Sequence, residues 1–220
     1  MSISPKQNNA KAIIDSYIEL FKHLNINAGD LIPKLGLNKN WSKITDQLDV
    51  IYCGDNPGDE ELAAKEYFVG RAGFKLRSFV ELTNAQYEIN EYAFFNKTPY
   101  SSTRTKDIEE ENDPNQIIQK SIVLTVNCLF KLWKNNPALK LFVFGHSDSY
   151  IVRNFKRILI IKLMARPYFE NCITILSHPS RGHLHNDIGK YVVKRLSNGD
   201  NRTINYDEII QGIKQDEWLV

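Results

Sequence analysis

The chain has 220 residues, 42% of them hydrophobic, and 28 Lys+Arg against 26 Asp+Glu leave a formal charge of only +2. That is enough chain and enough apolar content for one domain with its own core, and no shift in composition marks a second, so residues 1–220 read as a single domain. Charge balance this close excludes a polyanion partner announced by net charge alone; with no basic region ahead of an apolar stretch at the N-terminus, and no run near the roughly 18 apolar residues of a membrane span, a cytoplasmic protein with no membrane partner is expected.

Ile13, Ile14, Tyr17, Ile18, Phe21 and Leu24 recur at intervals of three and four, which predicts an amphipathic first helix ending near HLNINAGD. LDVIYC follows as a short apolar strand, and Leu76, Phe79 and Val80 suit a helix from about Ala72 to Asn84. EYAFF is the next strand; after it KDIEEENDP reads as a solvated acidic loop, and Asp113-Pro114 as the N-cap and first turn of a long helix. KLFVFG and CITIL are two more strands, separated by a helix around Ile151, Phe155, Leu159 and Leu163. A last pair of helices is expected around Ile188 to Leu196 and Tyr206 to Ile213.

Short buried strands alternating with helices predict an α/β fold, a three-layer α/β/α sandwich around a central, mainly parallel four-stranded sheet. Ligands in such folds bind outside the carboxyl ends of the strands. Those ends read CGDNPG, FFNKTP, FGHSD and LSHPSRGHLH, and Asn56, Asn96 and His178 are placed to converge on one small molecule. The three cysteines, Cys53, Cys128 and Cys172, are odd in number and far apart, which argues against a disulfide framework or a zinc or iron–sulfur site; Cys53 and Cys172 read as small core residues.

GDNPGDEE lacks both the G-x-x-x-x-G-K-[ST] of a phosphate loop and the G-x-G-x-x-G of a dinucleotide fold, and it lacks the alternating oxygen ligands of a calcium loop. Two histidines in RGHLHND without a third ligand do not make a metal site, so neither metal nor cofactor is expected. A proline in the turn with Phe68 soon after instead suggests a rigid wall beside a flat ring.

Taken in order, GDNPGDEE…YFVGRAG, FFNKTP and SHPS resemble the uracil-DNA glycosylase superfamily, in which a G-x-[ADN]-P-[GY] loop, a strand-end Asn and an H-P-S loop form a base pocket. The resemblance covers residues 48 to 190 and is closest to the GEAPG…PFVGRAG pattern of the thermostable iron–sulfur branch. It is matched by Gly54, Pro57, Gly58, Glu60 or Glu61, Phe68, Val69, Gly70, Arg71, Ala72 and Gly73. Two departures stand out: Asn56 replaces the branch's alanine, as in the G-[IM]-N-P-G loops of other branches, and the cluster-binding cysteines are missing.

The resemblance implies a monofunctional glycosylase that hydrolyses the N-glycosidic bond of uracil, or a related deaminated base, flipped out of DNA. By position Asn56 would hold the attacking water, with Asp55 as its rival, and His178 would donate to the oxygen where negative charge develops. Phe68 would stack on the base, Asn96 would pair with its edge, and Gly54 and Gly58 would line the pocket. Ser180, Arg181, His183, Leu184 and Arg71 would meet DNA, with Leu184 as an apolar wedge in the vacated space. Gly58 stands where the most uracil-strict branch places a methyl-excluding tyrosine, so Tyr67 or Tyr100 would have to supply that exclusion. No lysine in the matched loops invites a Schiff base. The expected partner is DNA containing uracil or another deaminated base, bound by a monomer. The alternatives are a catalytically weak or inactive binding module of the same fold, and an α/β enzyme acting on free nucleosides.

Overall fold

The computed structural model describes residues 10–26, 34–102, 108, 113, 116–145, 147–165, 172–179, 183–188, 190, 198 and 206–213. Helix α1 (Ala10–Ile26) turns Ile14, Tyr17 and Phe21 inward, the periodicity expected of it. Each fully buried side chain of that size contributes about 1.5–3 kcal/mol. Strand β1 (Leu48–Gly54) is buried at every position but one, as a central parallel strand must be. After it come α2 (Asp59–Ala64), α3 (Arg71–Tyr87), β2 (Glu91–Asn96), α4 (Ile117–Asn135), β3 (Lys140–Phe144), α5 (Tyr150–Met164) and β4 (Ile173–Leu176). Residues 183–188 are helical (α6), and α7 spans Tyr206–Ile213.

All four strands are parallel, in the order β2-β1-β3-β4. The chain moves outward from β1 to β2 and then back across β1 to β3 and β4. With right-handed crossovers, α3 lies on one face of the sheet and α4 and α5 on the other. Packing agrees: α1 and α5 both pack on α4, and α7 packs on α3. This is the expected three-layer α/β/α arrangement. The reversal of direction falls between β1 and β3, whose carboxyl ends are where ligands bind in doubly wound sheets. No helix among the described residues is long and apolar enough to cross a membrane.

Several local details differ from the sequence expectations. α4 begins at Ile117, with Gln116 in the left-handed region (φ 56°) as its N-cap. Asp113 still acts as a cap from further back, its buried carboxylate accepting from Ile118 N (2.7 Å), Gln119 N (3.0 Å) and the Tyr150 hydroxyl (2.9 Å). The acidic stretch is therefore not wholly solvated, and Ile108 within it is also buried. Residues 183–187, ahead of the expected start at Ile188, are already helical, and 191–197 lie outside the described residues. α2 and a 3-10 turn at Lys39–Lys43 had no strong apolar period to betray them.

A buried chain of hydroxyls crosses the α1 side of the core. Tyr17 donates to Thr125 Oγ1 (2.5 Å), Thr125 to the Ser121 carbonyl (3.1 Å), and Ser121 Oγ to the Ile118 carbonyl (2.6 Å). Because the one proton of Ser121 is used there, Thr98 must be the donor in its 2.6 Å contact with Ser121 Oγ. Thr98 in turn accepts from Tyr100 N (3.3 Å).

Candidate functional site

Register builds the site. Gly54 pairs with Asn96 across β1 and β2, so the next residues, Asp55 and Lys97, leave neighbouring strands side by side. On the other flank Phe144 pairs with Leu176, which puts Gly145 and Ser177-His178 one and two steps beyond the sheet. Backbone bonds continue the ladder past the strand ends, from Lys97 N to Gly54 O (2.9 Å) and from Gly145 N to Leu176 O (2.9 Å).

Gly54, Phe68 and Asn96 meet at one point. A methyl group on Gly54 would lie 2.6 Å from Asn96 Oδ1 and 2.6 Å from Phe68 Cζ, so only glycine lets these two side chains close over the end of β1. Asn96 is 4% exposed, and its amide nitrogen has no hydrogen-bond partner among the described residues. A buried donor without a partner costs about 1–3 kcal/mol, which a bound acceptor would recover.

Phe68 is held in an unusual way. Its backbone is left-handed (φ 58°), uncommon for a bulky residue. Two anchors keep it there. The Glu61 carboxylate accepts from Phe68 N and, with its other oxygen, from Gly58 N (2.9 Å), joining the GDNPG loop to the YFVGRAG segment. Gly73, in the first turn of α3, packs its Cα against the Phe68 carbonyl, where any Cβ would collide with backbone. Burial pushes the Glu61 carboxyl above its ordinary range, while the two backbone donors oppose that. The Phe68 ring, 6% exposed, leans on Phe94 with centroids 5.1 Å apart. The order of the motif, an acid in the first loop and glycines after the aromatic residue, thus has a mechanical basis.

Sequence reasoning missed Lys97. It is fully buried, with Nζ 2.5 Å from Asp55 Oδ1, 2.5 Å from the Phe144 carbonyl, and 5.7 Å from the centroid of the Phe155 ring. A lysine does stand in a matched loop, then, and its ammonium is committed to an ion pair. The signal was an acid and a base one residue beyond two strand ends, meaningful only once β1 and β2 are known to be parallel neighbours. Asp55 is therefore no solvated turn carboxylate. His178 follows β4, and desolvation holds its imidazole below the usual histidine range; Lys97 and His183 push the same way and Asp55 opposes them. It is thus neutral at pH 7, one ring nitrogen a donor and the other an acceptor.

The remaining expected residues lie as follows. The Asn56 amide nitrogen bonds to the carbonyls of Pro57 (3.2 Å) and Ser102 (3.1 Å), which closes the turn and ties it to the loop after β2. Gly58 is the N-cap of α2, and a side chain there would enter open space. Arg71 opens α3, and His183 opens α6, where it is exposed. Ser180 and Arg181 lie outside the described residues.

Leu184 requires a correction. It is 0% exposed and part of the hydrophobic core, because α6 turns it inward, so it does not stand out as a wedge. Tyr67 is also no methyl gate: its hydroxyl donates to the Gly36 carbonyl (2.7 Å) and its ring packs edge-on against Trp41 in the core. Tyr100 is fully buried, its hydroxyl has no hydrogen-bond partner among the described residues, and burial with the nearby Asp113 pushes its pKa up to about 12.

No protein-family model matches this chain, and no curated protein matches it either.

Proposed function

We propose that this protein is a monofunctional DNA glycosylase that hydrolyses the N-glycosidic bond of uracil, or a related deaminated base, extruded from DNA. The observation that carries this reading is the buried Asn96 amide with its unpartnered donor, set beside the Phe68 ring above the bare Gly54. An amide edge next to an aromatic ring suits one face and one edge of a planar base.

The chemistry follows from the residues. Asn96 presents a donor and an acceptor, matching the adjacent O4 and N3–H of uracil, whereas cytosine offers the reverse pattern. Phe68 stacks on the ring, a contact worth about 1–3 kcal/mol in single-stranded systems. His178, neutral, donates to the base oxygen on which negative charge grows as the bond to the sugar breaks. Asn56, its amide nitrogen held by the Pro57 and Ser102 carbonyls, would hold the attacking water through its amide oxygen. The products are the free base and an abasic site, with the strand intact.

One observation supports a second reading, a module that binds such DNA with little turnover. Asp55 is ion-paired and Asn56 is an amide, so neither offers an uncommitted general base for the water. Slow turnover is expected on either view.

The test uses end-labelled oligonucleotides with one uracil, single-stranded or opposite G or A, treated with alkali after incubation. Alkali-dependent cleavage at the uracil that is lost in Asn56→Ala and His178→Ala supports the proposal. Nicking without alkali, or activity on free deoxyuridine above that on oligonucleotides, overturns it. Tight binding of the same DNA with no base release selects the binding module.

A further inference from the structure

We infer that Lys97 is a positioning residue of this site, whose buried ammonium locks the ends of β1, β2 and β3 together and fixes the charge facing His178. The inference rests on reading the strand ends as the functional site, but not on which base is processed.

Lys97 has no contact with solvent, and Asp55, its partner, is 8% exposed. A buried ion pair is a weak source of stability, since both charges lose their water. Its value lies in geometry. One ammonium on the residue after β2 bonds the carboxylate on the residue after β1 and the carbonyl of the last residue of β3. β1 and β3 are the neighbouring strands between which the strand order reverses. Gly145 completes the fit. Its φ of 89° belongs to glycine, and a Cβ there would sit 2.6 Å and 2.9 Å from the two Asp55 oxygens, so the β3 turn is shaped around this carboxylate. Asn96, with its unpartnered amide, immediately precedes Lys97, so fixing Lys97 also fixes the strand end that carries Asn96.

Among the described residues, charges that act on His178 include Asp55 after β1, Lys97 after β2 and His183 in α6. Lys97 and Asp55 act on it with opposite signs. Removing the ammonium takes away its repulsion while the attraction of Asp55 stays, so protonated His178 is favoured. Removing the carboxylate alone does the reverse.

The experiment is an NMR titration of the histidine ring protons in the substrate-free protein, with His178 assigned by loss of its signal in His178→Gln. The samples are wild type, Lys97→Met, Asp55→Asn and the double variant, each checked for folding by thermal melting. The expected result is a His178 midpoint raised by about one pH unit in Lys97→Met, lowered in Asp55→Asn, and between the two in the double variant. The cost of keeping the Asp55 carboxylate buried without the ammonium can prevent Lys97→Met from folding. In that case a folded double variant, beside unfolded single variants, shows the pairing directly, and a lowered midpoint in a folded Asp55→Asn shows the effect on His178. A Lys97→Met protein as stable as wild type with an unmoved His178 midpoint overturns the inference, as does an unmoved midpoint in Asp55→Asn. Because no substrate is present, failure of the glycosylase reading shows up separately, in the oligonucleotide assay. Where excision is detected, its acid limb should move to higher pH in folded Lys97→Met.

Discussion

Gly54→Ala probes the site with a single methyl group. The added carbon would sit 2.6 Å from Asn96 Oδ1 and from Phe68 Cζ, and 3.3 Å from Phe68 Cε1, against roughly 3.5–4.0 Å for relaxed carbon contacts. Something must move by about an ångström, and the neighbours have little room: Asn96 and Phe68 are 4% and 6% exposed, and Phe68 is pinned by Glu61 and Gly73. Overpacking of this kind costs about 1–3 kcal/mol. For a chain of this size each kcal/mol lowers Tm by about 2–4 °C, so a fall of roughly 2–12 °C is expected. The functional loss should be larger than the stability loss, because the methyl displaces the two side chains assigned to the base edge and the base face. The assays are a thermal melt and the uracil-oligonucleotide reaction at a temperature where the variant is fully folded. A Gly54→Ala protein that melts with wild type and releases base at the wild-type rate would refute both the close contact and the pocket built on it.

Glu61→Gln exchanges one acceptor oxygen for an amide that cannot accept from both Gly58 N and Phe68 N; a loss of about 1.5–3 kcal/mol is expected in urea unfolding, with a matching loss of DNA binding as Phe68 is released. His178 has a folded pKa below its unfolded value near 6.5, so its stabilising contribution is complete above that pH and is lost as the pH falls from there through the folded value. Urea midpoints at pH 7.5 and 5.5 should therefore differ more in wild type than in His178→Gln. Among the three cysteines, Cys53 and Cys128 are buried and their thiols pushed far up, Cys53 to about 12, whereas Cys172 is half-buried. A thiol reagent on the native protein should label one site, Cys172, and all three after unfolding.

The parts of the fold legible in the sequence were those written in local pattern. α1 and α5 showed a three-four repeat, and the four strands were short apolar runs bounded by turn residues. What was not legible depended on register or on distant neighbours. Asp113 looked like an adjacent N-cap, yet its carboxylate reaches Ile118 and Gln119 because the chain turns through a left-handed Gln116 before the helix begins. Leu184 was expected in an exposed loop only from the family resemblance, and it is buried because it lies within the helical residues 183–188. Gly54, Phe68 and Asn96 were singled out one by one, and their meeting point could be found only from the parallel pairing of β1 with β2. Lys97 was hidden for the same reason.

Tyr17, through Thr125, and Thr98 both donate inward toward Ser121, yet damage at the two ends is unequal. At the outer end, Tyr17→Phe removes a donor and leaves Thr125 still bonded to the Ser121 carbonyl, so only an acceptor position falls vacant. At the inner end, Thr98→Val removes the group that both gives to Ser121 and takes from Tyr100 N, so a buried N–H loses its acceptor, at about 1–3 kcal/mol. The sensitive end is thus the one nearer the site, since Thr98 directly follows Lys97 in the segment after β2.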